Sequence, residues 1–368
     1  MEAIYAIGAA IVVIIIQLYT YACKRYTGGK QADTTAINTY QPPLVLFSDI
    51  KLYREYTPGI KNTTIHIGQR KLLLNEIQFL TDFPAEPCLV VYAGAAPGNK
   101  TGYLSKLFPK ITWLLVDPNK FEIFDSKPVY IKTPKSLKFN GGIYIINDIY
   151  TNDISRELSA LSQPIYFISD IRTDTDDVNV LWNLAQQYNW VKILRPRAAM
   201  LKFRHIYYRD DLAPLAGKPY IDDIACAAKF GIDFVADAKA KRLTYFGGEI
   251  RLQPWAPALS TETRLVVTDI DSVATYDDIN DAKYESAMFY YNTVERVKPH
   301  TNDNANLRIG FDHCNDCALE NVIWKRYIET HGGKNTVLDY VKAVSALTHR
   351  PLLRDKHGKK KKKTYTNG

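Results

Sequence analysis

Short apolar runs recur along the middle of the chain, and segments with helical spacing of apolar residues lie between them. Runs of this length, bounded by Gly, Pro and Asp, predict buried strands. The predicted strands cover residues 88–94, 111–117, 128–133, 142–148, 164–170 and 198–204, with final strands at 250–255 and 263–269. The predicted helices cover residues 68–83, 148–161, 175–189, 277–298 and 315–349. This alternation predicts an α/β fold with a mostly parallel, doubly wound sheet, followed by C-terminal helices.

The N-terminal segment differs from the rest of the chain. Residues 3–23 carry no charge, and Lys24 and Arg25 come directly after them. A bilayer-spanning helix needs about 20 apolar residues, and cations after it favour a cytosolic location for the rest of the chain. We therefore expect a single-pass membrane protein; a cleaved signal peptide and a buried core helix are the alternatives. The expected organisation is an anchor over 1–25, a linker over 26–45, a catalytic domain over 46–350 and a basic, disordered tail over 351–368.

Composition narrows the choice of partner and compartment. The net charge of +8 favours a polyanionic partner, either nucleic acid or an anionic membrane surface. Five cysteines do not suggest a disulfide framework, so a reducing compartment is expected. His313, Cys314 and Cys317 form an HCxxC pattern, but a structural zinc site usually has a second ligand pair at a suitable spacing. We predict no metal site.

A Gly-rich loop comes after the first predicted strand. GAAPGNKT departs from a P-loop, because only three residues separate Gly94 from Gly98 and Asn99 precedes Lys100. The pattern still predicts a sharp turn at Gly94, a helix that starts near Gly98, and a second strand that ends in Asp117. An acid at that position suits the ribose hydroxyls of a nucleoside, and S-adenosylmethionine is a nucleoside without phosphate. A class I methyltransferase and a general α/β nucleotide-binding protein both remain open.

Four charged residues stand at the ends of predicted elements. Lys71 is near the start of a helix, Asp170 and Lys202 are at or near the ends of strands, and Glu262 precedes a strand. Residues beyond the carboxyl ends of parallel strands line one crevice, where ligands bind. Two lysines and two carboxylates there suit proton removal from a ribose hydroxyl, with Lys202 as the base and Lys71 lowering its pKa. For each residue alone, the alternative is a surface salt bridge.

Five segments resemble the successive motifs of the poxviral cap-specific mRNA (nucleoside-2'-O-)-methyltransferase family: GQRKLLLNEIQFL, VVYAGAAPG, FISDIR, LKFR and STETRL, within residues 68–270. The resemblance implies a Rossmann-like class I fold and S-adenosylmethionine-dependent methylation of the ribose 2'-OH of the first transcribed nucleotide of capped mRNA. It implies a catalytic tetrad of Lys71, Asp170, Lys202 and Glu262. The implied cofactor positions are Gln69, Tyr92, Gly94, Gly98 and Asp117. Asn119 stands where the family has a cofactor-contacting Arg.

The resemblance also implies a site for the cap. Aromatic faces hold the cationic N7-methylguanine better than plain guanine. Tyr207 matches one stacking residue, Tyr53 or Tyr56 supplies the other, and Glu285 matches a carboxylate at the edge of the base. Arg204, which ends LKFR, is the implied RNA contact. The family enzyme is soluble, and residues 209–247 are longer here than the corresponding segment.

The same resemblance implies a large cytoplasmic DNA virus as the source, with the protein in the host cytoplasm or the virion. A poly(A) polymerase or the transcription machinery is an implied partner besides capped mRNA, because the poxviral protein also serves a poly(A) polymerase. Two other functions stay open: methylation of internal positions in structural RNA, and a non-catalytic, membrane-tethered RNA-binding or polyadenylation subunit.

Overall fold

A computed structural model describes residues 68–82, 87–137, 141–206, 220–240, 242–276, 281–293, 296 and 315–348. They all belong to one compact unit, Thr39–Gly368. The expected anchor, linker and basic tail lie outside the described residues, so the predicted domain boundaries stay predictions. Five single residues of the predicted sites also lie outside them, namely Tyr53, Tyr56, Tyr207, His313 and Cys314.

Among the described residues, the main sheet has eight strands in the order β3-β4-β2-β1-β5-β6-β9-β8, and β7 and β10 form a separate two-stranded sheet. The strands are β1 (Cys88–Ala93), β2 (Ile111–Val116), β3 (Val129–Tyr130), β4 (Gly142–Ile146), β5 (Ile165–Ser169), β6 (Ala198–Phe203), β7 (Leu243–Phe246), β8 (Glu249–Arg251), β9 (Thr263–Val267) and β10 (Val273–Tyr276). The first six pair in parallel, whereas β9 runs antiparallel to both β6 and β8.

Burial depends on position in the sheet. Every residue of β1, β2 and β5 is buried, as expected for the central strands of a parallel sheet that is covered on both faces. Both residues of β3, at one edge, are exposed, and the strand is shorter than the segment 128–133 that was predicted. β1 stands where the chain changes the direction in which it adds strands, between β2 and β5. In doubly wound sheets, ligands bind beyond the carboxyl ends of strands at such a switch point.

Nine helices are described, and polar residues define several of their starts. They are α1 (Gly68–Thr81), α2 (Thr101–Leu107), α3 (Asn152–Ser159), α4 (Asp177–Leu194), α5 (Tyr220–Lys229), α6 (Phe234–Lys239), α7 (Asp281–Thr293), α8 (Asn315–His331) and α9 (Val337–Leu347). The Asp176 side chain accepts a hydrogen bond from the Asn179 amide at the start of α4, and Thr336 forms a capping box with Asp339 at the start of α9.

Most predicted elements are present, with two kinds of difference. The predicted helix over 315–349 is two helices, since Gly332 and Gly333 between them have φ angles of +70° and +118°. Four elements had no prediction, namely α5, α6, β7 and β10. Three of them lie within residues 209–247, and their buried side chains, among them Ile224, Phe234 and Tyr245, belong to the hydrophobic core.

The expected membrane topology needs correction. No helix of the described residues has both the length and the apolar composition that a membrane span requires. The longest described helix, α4, has 18 residues and contains five Asn and Gln side chains. This finding overturns the predicted localisation as a single-pass membrane protein. The uncharged segment that suggested it, residues 3–23, lies outside the described part of the chain.

Candidate active site

The four charged residues of the predicted tetrad converge at the carboxyl edge of the sheet. β5 and β6 are neighbours and run parallel, so the ends that carry Asp170 and Lys202 are adjacent. Glu262 arrives from the loop before β9, which pairs with β6. Lys71 comes from the first turn of α1. The sequence thus supplies one charged side chain from each of four elements that meet at one edge.

Glu262 bridges the two lysines. Its Oε1 lies 3.2 Å from Nζ of Lys71, and its Oε2 lies 3.0 Å from Nζ of Lys202. Nζ of Lys202 is also 3.2 Å from Oδ1 of Asp170. The four side chains are 13–21% exposed, so the cluster is shielded from bulk water but remains open to a ligand.

A fifth charged residue, Arg264, belongs to this cluster and was not predicted. Its Nη2 lies 2.7 Å from Oδ1 of Asp170 and 3.2 Å from Oε1 of Glu262, and its side chain is 1% exposed. It is the direct cross-strand partner of Lys202 in the β6–β9 pair. The sequence contains a signal for it, because an Arg inside the apolar run TRLVV lies in a buried strand and is expected to need a partner for its charge. With Arg264, the cluster has three cations and two anions.

The electrostatics of the cluster result from these contacts. Burial alone would raise the pKa values of the Asp170 and Glu262 carboxyls, but Arg264 and the neighbouring lysines outweigh it and hold both values below normal. Burial lowers the pKa of Lys71, and the attraction of Glu262 offsets this only in part. The two carboxylates are therefore ionised at neutral pH, and Lys71 gives up its proton more easily than an exposed lysine.

The Gly-rich loop lies against the same edge. Gly94 has φ +76°, and a Cβ there would stand 2.9 Å from the Ile171 backbone nitrogen, so only glycine fits. Gly98 also has a positive φ, of +66°. The loop turns the Ala96 amide toward Asp117, whose Oδ2 accepts its hydrogen bond at 3.1 Å. The acid at the end of β2 is thus fixed beside the loop, as the sequence predicts.

Asn119 takes part in this arrangement. Its backbone amide and its side-chain amide both donate to Oδ1 of Asp117, at 2.8 and 2.9 Å. In the family that the sequence resembles, an Arg at this position contacts the cofactor. Here the Asn119 side chain orients the Asp117 carboxylate instead. Gln69, another expected cofactor position, is exposed in the first turn of α1, two residues before Lys71.

A second buried charge cluster lies behind the loop. The Tyr92 hydroxyl donates to Oε1 of Glu76 at 2.8 Å, so it is committed to another side chain. Nζ of Lys100 is 3.9 Å from the same oxygen. All three residues are at most 7% exposed. Burial raises the pKa of Glu76 and lowers that of Lys100, so both groups are shifted toward their neutral forms. Neither Glu76 nor Lys100 was predicted to belong to the site.

Only part of the expected RNA-binding side lies in the described chain. Nη2 of Arg204 is 2.7 Å from Oδ1 of Asp177. Glu285 is partly exposed on α7, next to the buried Tyr284. The Tyr284 hydroxyl donates to the carbonyl of Thr261 at 2.7 Å, directly before Glu262. Glu285 and the catalytic candidate Glu262 are therefore carried by elements that are bonded to each other.

The HCxxC pattern is only partly described. Cys317 is buried in α8. Within the part of the chain that the structure describes, no group of His, Cys, Asp and Glu side chains is arranged to hold a metal ion.

Comparisons with known proteins give a match to one family over part of the chain. Residues 39–213 match the family model described as Poly A polymerase regulatory subunit. The matched segment contains Lys71, Asp170 and Lys202, and it ends before Glu262. No curated protein matches the chain.

Two of the solved structures that the chain matches are methyltransferases. Human methyltransferase-like protein 13, in complex with SAH, is 14% identical, with a TM-score of 0.26, over 64% of this chain and 93% of that one. An antibiotic-related methyltransferase is 13% identical, with a TM-score of 0.23, over 53% and 91%. The described sheet is mixed, because β9 runs antiparallel between β6 and β8.

Proposed function

We propose that this chain transfers a methyl group from S-adenosylmethionine to the ribose 2'-OH of the first transcribed nucleotide of capped mRNA. The observation that carries the proposal is the convergence of Lys71, Asp170, Lys202 and Glu262 at the sheet edge that also holds the Gly-rich loop. The match of residues 39–213 to the Poly A polymerase regulatory subunit model supports it. Cap specificity rests on the resemblance of the sequence motifs.

The residues around the loop fit the cofactor. The backbone at Gly94 leaves no room for a side chain, which suits a loop that a nucleoside approaches closely. Asp117, which the Ala96 amide and Asn119 hold in place, would accept hydrogen bonds from the ribose hydroxyls of the cofactor. Tyr92, Gly98 and Gln69 complete the proposed site. S-adenosylmethionine would supply an electrophilic methyl group on a sulfonium centre and leave as S-adenosylhomocysteine, and the protein would orient the RNA 2'-oxygen that accepts the methyl group.

The charge balance of the cluster suits a base. Three cations and two carboxylates leave one net positive charge, so loss of one proton from the lysine pair makes the cluster neutral. Lys202, fixed between Asp170 and Glu262, takes the 2'-hydroxyl proton in this proposal. Lys71 shares Glu262 with it and has a lowered pKa, so the two lysines are the alternatives for the base. Asp170 and Glu262 orient the ammonium groups.

Methyl transfer to short RNAs, with mapping of the methylated nucleotide, tests the proposal. Three RNAs of one sequence are needed: one with an N7-methylated cap, one with an unmethylated cap and one without a cap. We expect methylation of the first nucleotide, strongest on the N7-methylated cap. Equal methylation of all three would favour the enzyme of internal RNA positions. No transfer to any of them, with normal cofactor binding, would remove the function.

A second function has its own support. The matching family model describes a regulatory subunit of a poly(A) polymerase, so we also propose a non-catalytic role in polyadenylation. The two roles separate with Glu262→Gln, which should remove methyl transfer and leave stimulation of a poly(A) polymerase intact. If the variant loses both activities while it remains folded, the two functions are not independent.

A further inference from the structure

Arg172 is a charged residue of the site without a role so far. It lies two residues after Asp170, in the loop that leaves β5. Its side chain is partly buried, and its Nη1 is buried and has no hydrogen-bond partner among the described residues. The start of this loop is fixed, because the Asp170 amide donates to the Ala93 carbonyl at 3.0 Å and Ile171 packs on Gly94. Arg172 is therefore held at the carboxyl edge of the sheet.

The neighbouring carboxylates are already engaged with other cations. Arg264 contacts both Asp170 and Glu262, and the two lysines of the tetrad contact them as well. Farther out, Asp177 pairs with Arg204. Burial, together with the repulsion of Arg204 and Arg264, lowers the pKa of Arg172 to about 10 despite the attraction of Glu262 and Asp170. The site thus has more positive charge than the described residues neutralise.

A partly buried guanidinium that forms no ion pair with a described carboxylate is costly for a folded protein. Its planar set of donors matches the oxygens of a phosphate, which it binds through two parallel hydrogen bonds. We propose that Arg172 binds the phosphodiester group on the 3' oxygen of the acceptor ribose. This inference rests on the proposed function. The 2' and 3' oxygens are on adjacent carbons, so a phosphate held by Arg172 positions the 2'-hydroxyl beside Lys202 and Asp170.

The proposal makes Arg172 a positioning residue, and its test measures binding as well as catalysis. The probe is a short capped RNA with either a normal phosphodiester or an uncharged methylphosphonate at the linkage after the first nucleotide. Wild type should bind the uncharged RNA about tenfold more weakly or worse, because a hydrogen-bonded charge pair is lost. Arg172→Gln should bind both RNAs alike, at the weaker level. The affinity of Arg172→Gln for the normal RNA should also depend less on salt. The slope of log K against log salt concentration should be smaller by about 0.7, the value for one phosphate contact on a single strand.

Two further variants serve as controls. Arg195→Gln removes one positive charge from an exposed side chain beyond the end of α4, where it pairs with Asp271. Its preference for the charged linkage should remain that of wild type. Arg172→Lys keeps the charge and should recover part of that preference. Because Arg172 has an unpartnered buried nitrogen, Arg172→Gln should not lower the midpoint of thermal unfolding.

Two results would overturn the proposal. The first is an Arg172→Gln protein that still distinguishes the two linkages as wild type does. The second is an equal loss of affinity for a cap analogue without downstream nucleotides, which would place the contact on the cap phosphates. Binding is measured without methyl transfer, so the outcome is separate from that of the proposed function. If wild type methylates no RNA but Arg172 discriminates the linkage, the enzyme proposal fails and the phosphate site stands.

Discussion

Arg70 and Lys71 are adjacent on α1, yet they belong to two different kinds of buried ion pair. Nε of Arg70 donates to Oε2 of Glu320 at 2.7 Å, Nη2 contacts the other carboxylate oxygen, and both side chains are 0% exposed. The Trp255 indole and the Ser345 hydroxyl complete this network. Lys71 instead makes one contact of 3.2 Å with Glu262 and remains 15% exposed.

The difference separates scaffold from site. Arg70 connects α1 to α8 through a bidentate ion pair, which leaves few hydrogen-bonding groups for a ligand. A second pair of the same kind, Arg296 with Asp316, has contacts of 2.9 and 2.6 Å in the same region. In the tetrad the lysine–carboxylate contacts are 3.0–3.2 Å long, and with Arg264 the cluster keeps one net positive charge. The two bidentate arginine–carboxylate pairs stabilise the packing of the helices. The cluster around Lys71 keeps hydrogen-bond donors and acceptors that a substrate can use.

The largest expected effect is on catalysis. Lys202→Ala should reduce kcat by about 10²–10⁴, because it removes the proposed base, while S-adenosylmethionine binding stays near wild type. Lys192→Ala is the matched control: its side chain has the same 13% exposure, but it pairs with Asp271 away from the site. Single-turnover methyl transfer and isothermal titration check the two parts. Substantial residual turnover in Lys202→Ala would move the role of base to Lys71.

The scaffold pair should respond in the opposite way. Glu320→Gln leaves the buried Arg70 without an anion, and breaking such a pair costs about 3–5 kcal/mol of the free energy of unfolding. Methyl transfer per folded molecule should be unchanged. Glu329→Gln, at an exposed position of the same helix, should change stability by no more than about 0.5 kcal/mol. Denaturant titration measures both, and equal stability of the two variants would contradict the distinction between scaffold and site.

The pH dependence is expected to be smaller but diagnostic. Burial lowers the pKa of Lys71 below its usual 10.5, so the lysine pair should lose its first proton below that pH. If proton loss creates the base, kcat/KM rises by up to about tenfold per pH unit and levels off before pH 10.5. Over the same window the unfolded chain binds more protons than the folded one, so stability should also rise with pH. A flat rate profile would exclude a lysine base.

The sequence patterns predicted the strands of the sheet and the position of Asp170 and Lys202 at one edge of it. Buried parallel strands appear as apolar runs, and Asp170 and Lys202 lie at or near strand ends that must share an edge. Arg264 was missed because its burial depends on a partner strand distant in sequence. Arg172 and Lys100 were missed because a buried, incompletely paired cation looks like any surface charge in a sequence. The membrane prediction used the length and lack of charge of residues 3–23 and the cations after them, and no described helix is long and apolar enough to support it.

The smallest expected effect concerns how the scaffold holds the site. The Tyr284 hydroxyl binds the Thr261 carbonyl at 2.7 Å, and the amide of Asn292 binds the next carbonyl back, that of Ser260, at 2.8 Å. These two bonds anchor to α7 the loop that carries Glu262. Tyr284→Phe should lower kcat about 2- to 10-fold, the value of one hydrogen bond, with RNA and cofactor affinities unchanged. Asn292→Ala should act in the same direction.

The neighbouring residue on α7 gives the matched contrast for this last prediction. Glu285 is partly exposed one position along, and in the proposed function it binds the edge of the methylated guanine. Glu285→Gln should therefore narrow the preference for N7-methylated over unmethylated caps and leave kcat at saturating RNA close to wild type. Tyr284→Phe should do the reverse, because its hydroxyl bonds the loop and not the cap. Steady-state kinetics on both capped RNAs separates KM from kcat for each variant. If the two variants change kcat and KM in the same way, Tyr284 and Glu285 do not have separate roles, and the assignment of Glu285 to the cap fails.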